Sequence, residues 1–387
     1  MNLSHLLRII QKQPEYVRLH QLCNQMGLQT LSAGMQKAVR PAIAAALTHD
    51  HPGPVLYLVS RTDRMLTLLD EIQAWDPELQ ILPFPVPNPL FYEVASWGPR
   101  TIRQRISTLA NLTTDQQPGA PTEGKSSQPA LILAPIRAVM TRTISPRQFI
   151  GNSRWIKVGG TIQLDKFLQL LVNTGYSHAT LVTEPGQFSR RGGIIDVWPP
   201  AETCPVRLEL FGDEIDSLRD FDPSSQLSIH TRQFVRVTPA REGLTYLFQE
   251  QWKDWIPQHE TLEENHYLEF FLPWMNPTAV SLLDYLPKGS LILFEDKLNL
   301  ENVITEFEEH ALSFQADQIH SESIPSDMPL PYLTLVKLTS RAKDIPHWIS
   351  VMYPWIWRMT FNSLSASHPA PASVVSYDPL WNIWEPG

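Results

Sequence analysis

Along the first third of the chain, apolar residues recur in two alternating rhythms. Met35 to Leu47 is alanine-rich with helical spacing, Pro54 to Ser60 (PVLYLVS) is an unbroken apolar run of strand length, and Arg64 to Trp75 returns to helical spacing. Leu79 to Phe84 and Ala130 to Pro135 (ALILAP) predict two more strands, and Thr101 to Leu112 predicts a helix between them. Strands alternating with helices in this way predict a parallel sheet covered by helices. The stretch Thr113 to Gln128 is rich in Gln, Pro, Gly, Ser and Thr and predicts a mobile surface loop.

From about Ser145 the rhythm changes. Leu164 to Thr174 predicts a helix, while Ala179 to Glu184, Ile194 to Trp198, Val206 to Phe211 and Glu214 to Phe221 predict short strands, the last three each ended by Pro, Gly or Asp. This is the pattern of a small α+β domain with an antiparallel sheet. After Arg241 the first rhythm resumes, with a strand at Ser290 to Glu295 (SLILFE) and a helix at Leu300 to Ala311. The fold class is therefore α/β: one parallel-sheet domain, 1–144 and 240–345, interrupted by an inserted α+β domain at 145–239. The tail 346–387 follows, and from Thr360 its lack of periodicity predicts weak order. No internal repeat is visible.

Composition narrows the function classes. The 387 residues are 43% hydrophobic, enough for real cores, but only 18% charged, with a formal net charge of -9. Binding to nucleic-acid phosphates would need a local basic patch, and sequence-specific DNA recognition is not expected. Cys23 and Cys204 are far apart and form no C-x-x-C, which fits a reducing cytoplasm without a disulfide framework or zinc cluster. The start, MNLSHLLRIIQKQPEYVRL, reads as an amphipathic helix and not a signal peptide. The apolar stretch Ile345 to Met359 is interrupted by Pro346 and Pro354 and falls short of the roughly 20 residues that span a bilayer.

Within the inserted region, alternation places Arg207, Glu209 and Phe211 on one side of a strand and Leu208 and Leu210 on the other. One side packs inward; the other is expected to offer a guanidinium beside an aromatic ring, the residue types enriched at interface hot spots. Gly192 and Gly193 serve a bulge or tight turn. Asp196, Glu209 and Asp213 are assigned to turns and to salt bridges with Arg207 or Arg219, because nothing nearby supplies a nucleophile or metal. His49-Asp50-His51 precedes Pro52-Gly53 and reads as a solvated turn without a third metal ligand. No G-x-S-x-G elbow appears.

The segment Glu184 to Ser228, with FSRRGG, PVRLELF and LFGDEIDSLRDFDPSSQLS, resembles the second domain of the excision-repair protein UvrB. It resembles more closely the UvrB-homology module at the N-terminus of bacterial transcription-repair coupling factors. VLYLVSRTDRMLTLLDEIQAW, ILPFP, GPRTIRQRISTLANL and HYLEFFLPWMNPTAVSLLDYLPKGSLILFED extend the likeness to about 31–346. The resemblance implies a degenerate RecA-like, P-loop-like sheet domain around an inserted domain that docks UvrA. It places Arg191, Arg207 and Phe211 where that family contacts UvrA.

UvrB carries G-x-x-x-x-G-K-[ST], whose glycine backbone and lysine hold ATP phosphates. At the matching place this chain has LSAGMQKAVR, with the lone glycine Gly34 and with Lys37 followed by Ala38 instead of a hydroxyl residue. No nucleotide cofactor is expected, and Lys37 reads as a surface charge. Pro83 to Arg100 is short and proline-rich where UvrB has a long aromatic hairpin. No polymerase-binding or translocase motif occurs before Gly387, so the expected product is either a truncated coupling factor or a free-standing adaptor. Three functions follow from the resemblance: a non-catalytic UvrA-docking module, a helicase-like enzyme with a modified nucleotide loop, or a module masked by other domains of a coupling factor.

Overall fold

The run VLYLV forms a strand whose every side chain is buried, and a strand apolar on both faces needs a covering layer on each. The computed structural model describes residues 3–24, 29–117, 120, 130–256, 267–276, 278–342 and 347–352. Helices α1 (Ser4–Gln11) and α2 (Pro14–Asn24) lead to strand β1 (Gln29–Gly34), α3 (Arg40–Asp50), β2 (Val55–Val59), α4 (Thr62–Trp75), β3 (Gln80–Pro83), α5 (Pro99–Leu112), β4 (Ala130–Pro135), α6 (Ile136–Met140) and α7 (Pro146–Gly151). The inserted region follows with β5 (Arg154–Lys157), α8 (Leu164–Asn173), β6 (Ser177–His178), β7 (Gln187–Arg191), β8 (Ile194–Val197), β9 (Val206–Phe211), β10 (Glu214–Phe221), β11 (Ser228–Arg232) and β12 (Phe234–Val237). The chain returns through α9 (Leu272–Met275), β13 (Leu291–Phe294), α10 (Lys297–His320), α11 (Leu335–Ala342) and β14 (His347–Met352).

The first sheet has the order β1-β14-β13-β2-β4-β3, and all its neighbours are parallel. Residue parity then divides the core. Leu56, Leu58, Ile132, Ile292 and Phe294 face a layer that includes Ile106 and Leu109 of α5 and Leu300, Val303 and Ile304 of α10. Val55, Tyr57, Val59, Leu131, Leu133, Leu291 and Leu293 face the alanines of α3 and Met65, Leu68 and Ile72 of α4. Strand β13, encoded after the insertion, lies between β2 and β14, so the sheet is complete only when both flanks of the insertion meet.

The inserted region holds a six-stranded sheet, β11-β10-β9-β8-β7-β6, and the pair β12-β5. Strands β7 to β11 form an antiparallel meander. Its inner face presents Phe188, Ile195, Val197, Val206, Leu208, Ile215 and Leu218 to Phe167 and Leu171 of α8. Two-residue turns at Gly192-Gly193 and Gly212-Asp213 close the hairpins, with φ of 61° at Gly192 and 63° at Gly212. A side chain at either position would be strained, which accounts for glycine in both.

Some elements differ from the sequence expectation. The single N-terminal helix is two, because Pro14 starts α2 and cannot continue α1. Residues 179–184 are irregular, and the strand lies just beyond, at Gln187–Arg191. The Gln187 side-chain carbonyl accepts the backbone N–H groups of Thr183 (2.9 Å) and Glu184 (3.1 Å), replacing ladder bonds with a local turn. Helix α10 runs well past both ends of Leu300 to Ala311. The expected loop at 113–128 and the tail from Thr360 lie largely or wholly outside the described residues.

Helix α5 ties the exit of the insertion to the first sheet. Arg105 is fully buried; its Nε and Nη2 donate to Glu242 at 2.5 and 3.1 Å, and its guanidinium lies 3.9 Å from the Phe84 ring centre. Arg236 of β12 donates to the carbonyl of Ala110 at 2.5 Å and to the Thr113 hydroxyl at 3.0 Å, at the C-terminus of the same helix. There the unsatisfied carbonyls carry partial negative charge, so a cation satisfies them and their dipole together. Burial pulls the Arg236 pKa down to about 10. Arg105→Ala is expected to lower stability by about 3–5 kcal/mol by stranding a buried carboxylate, whereas the joint change Arg105→Met with Glu242→Leu should cost far less. Urea unfolding of both variants beside the parent chain checks this, and equal losses would contradict it.

Candidate functional site

The face of the inserted sheet turned away from α8 is organised by one carboxylate. Asp196 of β8 is 1% exposed and stands opposite Arg207 in the register of β8 with β9. Arg207 Nε and Nη2 donate to its two oxygens at 2.7 and 3.0 Å, a bidentate pair. Arg191 of β7 donates a third bond at 2.8 Å. The hydrogen bonds to Asp196 raise the Arg207 pKa, so the guanidinium stays charged.

This geometry corrects the expected pairing of an outward fork with Phe211. The Arg207 side chain is only 16% exposed, and its guanidinium lies 4.7 Å from the ring centre of Phe221, which is itself buried. Phe221 packs with Val182 and Trp198 in a small cluster of its own. The cause is a bulge in β10 between Ile215 and Ser217. Counting back from the Phe211–Glu214 pair without the bulge would set Leu218 across from Arg207; the extra residue sets Arg219 there and turns Phe221 onto the same face. Phe211 lies four residues farther along β9, roughly 13 Å at the usual strand rise.

Phe211 is 84% exposed, at the tip of the β9–β10 hairpin. Arg191, with its side chain 51% exposed, sits at the neighbouring hairpin tip, two strands away in the same sheet. Glu209 accepts from Ser217 at 2.7 Å and from Arg219 at 3.3 Å. Asp196 and Glu209 thus serve salt bridges, as the sequence reading assigned, and Asp213 occupies the hairpin turn. Leu227 and Ile229, 69% and 48% exposed, add apolar surface at β11 that the sequence reading did not single out. Its signal was the alternation in QLSIHTR, which resembles an ordinary polar strand edge.

The nucleotide-loop position lies between β1 and α3. Gly34 and Lys37 are exposed there, and Lys37 begins a short 3-10 turn. Arg40 next to it is buried and donates to the carbonyls of Met35 (3.3 Å) and Glu295 (3.1 Å). Arg64 bonds the Glu295 carboxylate at 2.6 Å and Glu71 at 2.9 Å. A phosphate cradle turns N–H groups inward, whereas this loop turns a carbonyl toward a resident cation.

Of His49-Asp50-His51, the first two are exposed as expected but end helix α3 instead of lying in a turn, and His51 is buried. Asp50 accepts from Tyr16 at 2.6 Å and from Gln11, His51 is buried with Nε2 2.6 Å from the Gly289 carbonyl, and His49 bonds Asp76. Each residue pins a different neighbouring element. Among the described residues, no cluster of three His, Cys, Asp or Glu is placed to hold a metal, and no helix is long and apolar enough to cross a membrane.

The two arginines on Asp196 differ in burial, which gives an expected order of effects. Asp196→Ala should lower stability by about 2 kcal/mol or more, because it removes the buried centre of three charge-assisted bonds. Arg191→Ala should cost less than about 1 kcal/mol, since its end of the pair is in water. Urea unfolding measures both, and an Arg191→Ala loss equal to that of Asp196→Ala would refute the ranking.

The family model described as the UvrB interaction domain matches residues 155–242, from within β5 to the Glu242 partner of Arg105. The transcription-repair-coupling factor of Bacillus subtilis (strain 168) is 25% identical over 336 residues, covering 79% of this chain and 27% of that protein. That of Escherichia coli (strain K12) is 28% identical over 312 residues, covering 76% and 25%. That of Staphylococcus aureus (strain bovine RF122 / ET3-1) is 26% identical over 352 residues, covering 83% and 28%. This chain spans about a quarter of the length of these relatives. It carries a UvrB interaction domain at residues 155–242, within a module homologous to part of the transcription-repair-coupling factors.

Proposed function

We propose that the chain is a non-catalytic binding module of transcription-coupled excision repair that docks UvrA through the hairpin tips of its inserted sheet. The observation that carries this reading is Phe211, an aromatic ring 84% exposed beside a rigid two-residue turn, inside a stretch matched as a UvrB interaction domain. A large ring held in water by a stiff hairpin contributes contact area with little ordering cost when a partner covers it. In this reading Phe211 and Arg191 touch UvrA directly. Arg207 acts through Asp196, holding the carboxylate that orients Arg191.

The reading divides the chain into a scaffold, 1–144 and 240–345, and an inserted docking domain at 145–239. No nucleotide step is assigned to the loop at Gly34 and Lys37, where Arg40 draws the Met35 carbonyl. With a net charge of -9, attraction to nucleic acid is also not part of the proposal.

Purified UvrA and this chain test it in a binding titration. Phe211→Ala and Arg191→Ala should each weaken binding by about 1–3 kcal/mol, the range of interface hot spots, while leaving the circular dichroism spectrum unchanged. Arg207→Ala should weaken binding and lower stability together. Undiminished binding by the folded double variant Phe211→Ala with Arg191→Ala would remove this surface from consideration.

A further inference from the structure

Helices α1 and α2 are fixed to the parallel-sheet domain by packing and by hydrogen bonds. Leu7, Tyr16 and Cys23 enter the core beside the alanines of α3. The Leu3 N–H donates to the Ala74 carbonyl at 3.0 Å, and Tyr16 and Gln11 donate to the Asp50 carboxylate at 2.6 and 3.1 Å. With Leu7 innermost, the helical repeat turns His5, Ile9 and Lys12 of this segment straight outward, with Leu6 on one flank and Arg8 on the other. All five are exposed. On α2, the exposed Val17 and Arg18 extend the same mixture of apolar and cationic surface. Gln13 joins the two stretches: its side chain donates to the Ile9 carbonyl at 3.4 Å, and its own carbonyl accepts the Val17 N–H at 3.0 Å.

Charge in this segment runs against the rest of the chain. Residues 3–24 hold Arg8, Lys12 and Arg18 against the single acid Glu15, in a chain of net charge -9. Arg8 and Lys12 form no ion pair among the described residues. Three occupants fit this surface poorly. A membrane is bound by a helix that buries its main apolar stripe in lipid, and Leu7 and the half-buried Ile10 of α1 already face the core. A nucleic-acid backbone would use the cations, but it leaves Leu6 and Ile9 without a counterpart and is repelled by the net charge. A second copy presenting the same face would set like charges against one another.

We propose that the outer face of α1 and α2 docks an acidic amphipathic helix of another protein, its carboxylates on Arg8, Lys12 and Arg18 and its apolar stripe over Leu6, Ile9 and Val17. Two helices in contact bury an apolar seam and pair the charges that flank it, and this face carries one half of both. The bonds to Asp50 and Ala74 already hold α1 and α2 in place, so docking requires little ordering on this side. This inference does not depend on UvrA docking.

Fluorescence anisotropy on the full chain tests it with a labelled helical peptide that carries leucine along one stripe and glutamate elsewhere. The comparisons are the same peptide with lysine for glutamate, a labelled DNA duplex, and phosphatidylglycerol vesicles followed by co-sedimentation. The glutamate peptide should bind saturably and more tightly than any of the three. Leu6→Ser with Ile9→Ser, and separately Arg8→Glu with Lys12→Glu, should each weaken it about tenfold or more. Both variants should keep the parent circular dichroism spectrum, because all four side chains are exposed. Lys157→Glu with Lys166→Glu, which reverses two exposed cations of the inserted domain, should leave peptide binding unchanged. No saturable binding of the glutamate peptide, tighter binding of the DNA or the vesicles, an equal loss in the Lys157 and Lys166 variant, or full binding by the Leu6 and Ile9 variant would overturn the proposal.

Discussion

The guanidinium of Arg105, sealed against the Glu242 carboxylate, fixes the point where the chain leaves the insertion and rejoins the parallel sheet. The rest of the architecture depends on that return. Strand β13 must enter between β2 and β14, and every contact it makes with β2 closes a loop that contains the whole inserted domain. Closing so long a loop costs chain entropy, which the contacts made where its two ends meet must offset. A buried ion pair adds little net stability compared with an apolar pair of equal volume, but it permits only one geometry. Arg236 adds a second attachment six residues earlier, on the carbonyl end of the same helix. Helix α5 therefore belongs to the sheet by its apolar face and to the insertion by its polar contacts.

Much of this was legible in the sequence because the periodicities were strong. The runs at Ala130–Pro135, Val206–Phe211 and Glu214–Phe221 are strands over those same residues. Elements without a one-sided apolar pattern were not legible. SIHTR forms β11 at a sheet edge with most of its length exposed, so burial leaves no mark on it. LVTE has strand composition, yet two of its backbone N–H groups, those of Thr183 and Glu184, turn to the Gln187 side chain and the stretch is irregular. Arg105 and Glu242 are 137 residues apart in sequence, and nothing local announces their pairing.

The site shows the same division. Alternation along β9 correctly separated Leu208 from Arg207, and the residue types Asp196 and Glu209 correctly suggested ion pairs. The aromatic neighbour of Arg207 could not be read from alternation, because one extra residue in β10 changes which side chains face it. That bulge separates two roles that look alike in sequence. Phe221 is a buried platform for the guanidinium, and Phe211 is an exposed ring at a turn. A base of Asp196, Arg207 and Phe221 beneath tight two-residue turns is the arrangement that would present Phe211 and Arg191 in a fixed orientation.

In the proposed function, recognition lies at those tips and support in the α/β scaffold. Hydrogen–deuterium exchange of the chain with and without UvrA addresses this most directly, because it locates a contact without altering any side chain. Slower exchange confined to residues 187–216, with β2, β4 and β13 unchanged, is the predicted result. Slower exchange at the scaffold with the two hairpins unaffected would contradict the account.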